Sequence, residues 1–148
     1  MTPRNMTLWQ IIDALAQQIP FSKQKVETVL STHLAEKDRN TYTIFLEGPG
    51  PELQEGVQIR LVDLRLARGA EGITKGFLVL DIGGTCITTS QLMVKYDYLR
   101  ITDTPSGHSL NGTTAYSQDM SWGKLSFGFE EKNPDCLADV AFDPKKDD

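Results

Sequence analysis

The chain has 148 residues, a net charge of −5, 39% hydrophobic residues and 24% charged ones, the composition of one globular domain rather than of a fibrous or disordered chain. At this length folding buries roughly 70% of the unfolded surface, so neither a metal nor a disulfide framework is needed. With 20 acids against 15 bases, and no apolar run near the roughly 20 residues of a membrane span, nucleic acid and membrane are excluded as expected partners.

The first apolar run follows Arg4 and is broken by Gln10 and Asp13, so it does not read as a signal-peptide core, and the cytoplasm is the expected compartment. Cys86 and Cys136 are too few for a disulfide scaffold and lack zinc spacing. Two separate small thiols are expected; a bridge between them would imply export to the periplasm instead.

Thr7 and Gln10 form a capping box, and Leu8, Ile11, Ile12 and Leu15 recur at helical spacing, which predicts a helix that stops before Pro20. A second helix starts at Ser22, carries Val26, Val29, Leu30 and Leu34 on one stripe, and ends in the polar run 36–40. His33 falls on or beside that stripe and reads as a packing residue.

After residue 40 the period changes to two. Strands are expected over 41–47, stopped by Gly48-Pro49-Gly50-Pro51, and over 57–66. In the latter, Ile59 and Leu61 have the opposite parity to Val62, Leu64 and Leu66, which predicts a bulge between Leu61 and Val62. Residues 77–82 are continuously apolar, as in a strand that is central or covered on both faces, and 68–75 is the hairpin loop before it.

Thr88 and Gln91 repeat the capping box and open a short helix through about residue 96, followed by a loop over 103–112. Three strands then follow, over 113–119, 122–130 and 136–142, with a polar tail from 144. The expectation is a single domain over 1–148 and an α+β fold, with a mainly antiparallel sheet and helices on one face. It comprises a helical pair (1–40), first strands (41–83), a helix plus hairpin strands (84–143) and a frayed tail (144–148). The order admits two units, each a helix followed by three strands, and leaves the far face of the sheet free.

Three motifs bear on chemistry. Asp81-Ile82-Gly83-Gly84-Thr85 resembles the phosphate-binding segment of sugar kinases of the actin-like ATPase superfamily, but it lies mid-chain before a helix, so a strand ending in a glycine turn is the expected reading. His108 stands between Ser106 and Ser109, yet triad members converge from distant segments and loop serines more often bond the local backbone. Asn111-Gly112-Thr113 has the form of a glycosylation acceptor and is read as a turn. The acid pairs Glu130–Glu131 and Asp147–Asp148 lack the apolar neighbours that would raise a pKa.

The strand over 122–130 carries Gly123, Leu125, Phe127 and Phe129 on one face, and Trp122, Lys124, Ser126, Gly128 and Glu130 on the other. Trp122 is therefore expected on the free face, with Tyr116 and Gln118 joining it if the preceding strand pairs there. Exposed aromatic side chains of this kind supply much of the energy of many interfaces.

From Gly84 to Phe142 the chain resembles the two-helix and three-strand units of the β-lactamase-inhibitor-like and outer-membrane-assembly lipoprotein families. The capped helix from Thr88, the loop with Pro105 and Gly107, and the strands through Trp122 and Phe127 carry the likeness. It is also similar to small immunity proteins encoded beside bacterial antagonistic toxins, including those of type VI secretion and contact-dependent systems. There is no lipoprotein signal or lipid-anchor cysteine near Met1, a departure from the assembly lipoproteins.

The resemblance implies a non-enzymatic, cofactor-free and metal-free inhibitor that binds a cognate, basic toxin and blocks it sterically. Trp122 and Tyr116 would be anchors, accompanied by Asp119, Asp103, Glu130 and Lys124, with acids steering the encounter. The alternatives are a small phosphotransferase or hydrolase using Asp81 to Thr85, and an adaptor subunit of a larger assembly.

Overall fold

A computed structural model describes residues 2–69, 72–104 and 112–145, with every side chain in them except those of Thr74 and Asp103. Thr7 caps helix α1 (Leu8–Ala16) with both bonds of a capping box: its hydroxyl accepts from the Gln10 N–H, and its own N–H donates to the Gln10 side chain. Leu8, Ile11, Ile12 and Leu15 are the buried stripe. Helix α2 (Lys23–Leu30) starts where the Ser22 hydroxyl accepts from the Lys25 N–H, and ends at Ser31 in the left-handed region at φ 49°.

The run expected to finish that helix does something else. Residues Ala35–Arg39 form strand β1, exposed at every position and held by backbone pairing to β2 (Thr43–Gly48). No hydrophobic periodicity marks it because no side chain is buried. His33 lies in the connecting turn with its side chain exposed, Nδ1 3.2 Å from the Glu27 carboxylate, so it is not the packing residue expected. Glu27 also accepts from the Leu34 N–H; this bond, with Lys23 nearby, lowers its pKa.

The remaining elements are β3 (Val57–Gly69), β4 (Gly72–Gly84), α3 (Thr89–Lys95), β5 (Arg100–Asp103), β6 (Thr113–Met120), β7 (Gly123–Glu130) and β8 (Leu137–Pro144), with 3-10 turns at Pro3–Asn5 and Gln54–Gly56. They make one eight-stranded sheet in the order β1-β2-β3-β4-β8-β7-β6-β5, antiparallel at every pairing. Two meanders of four strands, each preceded by helix, meet where β4 pairs with β8. Each unit therefore has one strand more than the expected three. The fold is α+β, with a mainly antiparallel sheet.

The parity switch in β3 is a register slip between Ile59 and Leu61, one step earlier than expected, with Arg60 as the extra residue. Leu64, Leu80, Phe127, Val140 and Phe142 then point to the helices and are fully buried, each contributing about 1.5–3 kcal/mol of burial free energy. The second capping box is formed as expected, by Thr88 and Gln91. Tyr96, at the end of α3, packs on Phe127 at 5.1 Å between ring centres and edge-on against Trp9 at 5.9 Å, which ties α3 to α1 over the sheet.

Cys86 and Cys136 are bonded, against the expectation of two free thiols. The bridge joins the segment leaving β4 to the one entering β8, across 50 positions of sequence. Two strands far apart in the chain but neighbours in the sheet bring the cysteines together, a proximity that sequence spacing does not encode.

Candidate functional site

Helices cover one face of the sheet, and no described element packs across the other. Cross-strand register arranges the uncovered face in rows. One row runs Phe45, Arg65, Phe77 over β2, β3 and β4, and the Arg65 guanidinium lies 5.6 Å from the centre of the Phe45 ring. With Thr43, Ala67 and Lys75 these residues line a shallow depression of about 340 Å³. Residues 77–82 were expected to be central or covered on both faces; the strand is central, but Phe77 and Val79 point to the uncovered side, each only partly buried.

Two residues along β4 the row reads Glu47, Asp63, Val79, Ala141, Ser126, Ser117. The Ser117 hydroxyl, fully buried, is 2.7 Å from both the Thr102 and the Ser126 hydroxyls, a chain that ties edge strand β5 to β7.

Two residues further still the row is Leu61, Asp81, Asp139, Gly128, Ala115. Here two carboxylates stand directly opposite each other on neighbouring strands, an arrangement that is destabilising in itself. Asp139 lies across Gly128, where a Cβ would come within 2.5 Å of its Oδ1, and it accepts a hydrogen bond from the Gly128 N–H. Burial, then the charges of Asp81 and Glu130, push the Asp139 carboxyl up to about 6 despite that bond. Asp81 is raised too, by burial and by Asp63, Glu130 and Glu47, with Arg60 opposing.

The other carboxylates facing this side have cations at hand. Asp143 is 2.7 Å from Lys75, Asp63 3.3 Å from Arg65, Asp119 3.2 Å from Arg100, and Glu130 3.5 Å from Lys132. Among the described residues Asp81 and Asp139 form no ion pair.

Of the residues expected at the site, Asp119, Lys124 and Glu130 do face the uncovered side. Trp122 and Tyr116 do not. Trp122 lies in the turn before β7 and stacks on buried Phe142 at 5.9 Å, and Tyr116 sits opposite Phe127 with its ring edge-on to Phe129 at 5.6 Å. Both are partly buried against the core on the helix side. Gln118 also turns to that side, opposite Leu125, and accepts from the Tyr98 N–H. Trp122 precedes the strand, which begins at Gly123 with φ 151°, so the alternation of β7 does not extend to it; Tyr116 and Gln118 share the core side of Phe127 and Leu125, the residues they pair with. Asp103 is in β5, its side chain outside the described residues, as are Ser106, His108, Ser109, Asn111, Asp147 and Asp148.

The Asp81 to Thr85 string runs on as strand to Gly84 before a turn leads to α3. Gly84 has φ 74°, and a Cβ there would meet the Gly56 carbonyl oxygen at 2.2 Å. The Thr85 hydroxyl donates to the Glu55 carbonyl, so this glycine serves a close strand-to-turn contact. Phe45, Phe77 and Asp139 are the face residues that sequence reasoning missed, and Asp81 stands out in the sequence only as part of a glycine turn. Their signal was present as the positions out of phase with Leu46, Leu78, Leu80 and Val140.

Among the described residues no group of three or more His, Cys, Asp or Glu is placed to hold a metal ion, and no helix is long and apolar enough to cross a membrane. Comparison with protein-family models, curated proteins and solved structures finds no match to this chain.

Proposed function

We propose that this chain is an immunity protein that binds a cognate, basic bacterial toxin and blocks it sterically through the uncovered face of its sheet. The observation that carries the reading is a broad face, free of any described covering element, whose centre holds two carboxylates that form no ion pair among the described residues. Positive charge brought by a partner would relieve that repulsion, and it would steer the encounter. The Cys86–Cys136 bridge supports the periplasm as the working compartment, since disulfides persist in oxidising surroundings.

The test is co-expression with the product of the neighbouring gene directed to the periplasm. The unmutated chain is expected to restore growth, and the double variant Asp81→Lys with Asp139→Lys to fail while keeping its native melting behaviour. Gln17→Lys, at the exposed C-terminal end of α1, is expected to protect as well as the unmutated chain. A neighbour that is harmless alone, yet forms a stable complex, would replace this reading with an adaptor subunit.

A further inference from the structure

We infer that the partner is held at two points of the uncovered face: a lysine or arginine side chain between Asp81 and Asp139, and an apolar side chain of the same segment against Phe45 and Phe77. The inference rests on the proposed capture of a basic protein and adds which chemistry is recognised, and where.

Asp63, Asp119, Glu130 and Asp143 already have cations of this chain within 3.5 Å, so a partner's charge gains little there. Asp81 and Asp139 oppose each other across β4 and β8 and, among the described residues, neither is in an ion pair. The groups facing them are Asp63, Glu47, Glu130 and Arg60, acidic but for the last. The Arg60 guanidinium lies over Gly83, where a Cβ would be 2.0 Å from Nε, and does not bridge the pair. The Asp139 carboxylate lies over Gly128, and the open space beside it is a cavity of about 260 Å³ that Asp81, Asp139, Glu130 and Arg60 line together.

The aromatic spot is complementary in kind. Phe45 and Phe77 are only partly buried, on either side of Arg65, whose charge is engaged by the Phe45 ring and by Asp63. Phe77 and Asp81 are four residues apart on one strand, about 13 Å. An extended partner segment would span both spots with residues four apart on its own exposed face.

The occupant is thus a protein segment bearing one cation and one apolar side chain at that spacing. A purely apolar partner would suit the exposed side chains of Val94, Tyr98 and Ile101 instead, which are 85%, 79% and 57% exposed.

The probe is an acetylated, amidated peptide, Ser-Phe-Thr-Ser-Thr-Arg-Ser, titrated into isotopically labelled full chain and followed by amide chemical shifts. Shifts are expected at Phe77, Val79, Asp81 and Asp139. Affinity should fall about tenfold when the arginine of the peptide is replaced by glutamate, or in the Asp81→Asn, Asp139→Asn chain. A smaller loss is expected with serine in place of the peptide phenylalanine. Because a bound cation holds Asp139 ionised, affinity should also drop as pH is lowered through about 6.

Equal binding of the glutamate peptide, shifts centred on Val94, Tyr98 and Ile101, or no binding at about 5 mM would overturn the inference. The assay contains no toxin. Peptide binding without protection in cells would leave the recognition standing and remove the immunity reading; protection that survives Asp81→Lys with Asp139→Lys would do the reverse.

Discussion

Along β4 the side chains of Leu78, Leu80 and Ile82 are buried beneath the helices, whereas Phe77 and Asp81, one residue out of phase, stay within reach of solvent. The same strand thus serves two surfaces under different rules. On the covered side aromatic rings meet aromatic rings, as Phe21 meets Phe142 edge-on at 5.8 Å. On the uncovered side aromatics meet a guanidinium, and carboxylates meet each other. Removing a side chain from the first should cost stability; changing one on the second should cost binding.

The largest expected effect follows from that contrast. Phe127→Ala empties a fully buried site beneath Tyr96, and about 3–5 kcal/mol of stability should be lost. Phe77→Ala removes the same chemical group from the other face and should cost about 1 kcal/mol, within the spread of strand preferences. Urea denaturation of both variants measures the difference. Equal losses would mean that the two faces are not distinct in burial.

The second expected effect concerns the seam between the two meanders. The Cys86–Cys136 bridge closes a loop of 50 positions, which in chain-entropy terms stabilises by about 3–4 kcal/mol. Reduction should therefore lower the melting temperature by about 10 °C. The double variant Cys86→Ser, Cys136→Ser should melt at the lowered temperature with or without reductant. An unchanged melt on reduction would show that the β4–β8 ladder holds the seam unaided.

Sequence reasoning found the elements that bury side chains and missed those that do not. Both capping boxes, the stripe of α1 and strands β6 to β8 were legible because burial or capping dictates residue type. Strands β1 and β5 are the edges of the sheet; β1 is exposed throughout, and Ile101 in β5 is 57% exposed, so backbone pairing and surface polar contacts place them rather than a buried apolar pattern. The site was legible only in part for a related reason. An uncovered face imposes little on its residues, and its rows are assembled from strands distant in sequence. Asp81 and Asp139 become a pair only once β4 is known to lie beside β8.

That pair supplies the smallest effect, and it has the opposite sign. Asp139 titrates at about 6 in the folded chain against about 3.9 in an unfolded one. Between those values the folded state binds more protons than the unfolded, so stability rises as pH falls from 7 towards 4, and at neutral pH the ionised carboxylate is a burden. Asp139→Asn keeps an acceptor for the Gly128 N–H and removes the charge. It should stabilise by about 1–2 kcal/mol near pH 7.5, a full shift in pKa being discounted for partial exposure. The gain should shrink steadily as pH is lowered towards 4, where the native carboxyl is itself neutral. If the gain held constant across that range, its cause would be packing rather than charge, and the uncompensated pair could not be the feature that attracts a cation. If it followed pH as described while binding of a basic segment was lost, the uncovered face would be giving up stability at the same atoms through which it recognises its partner.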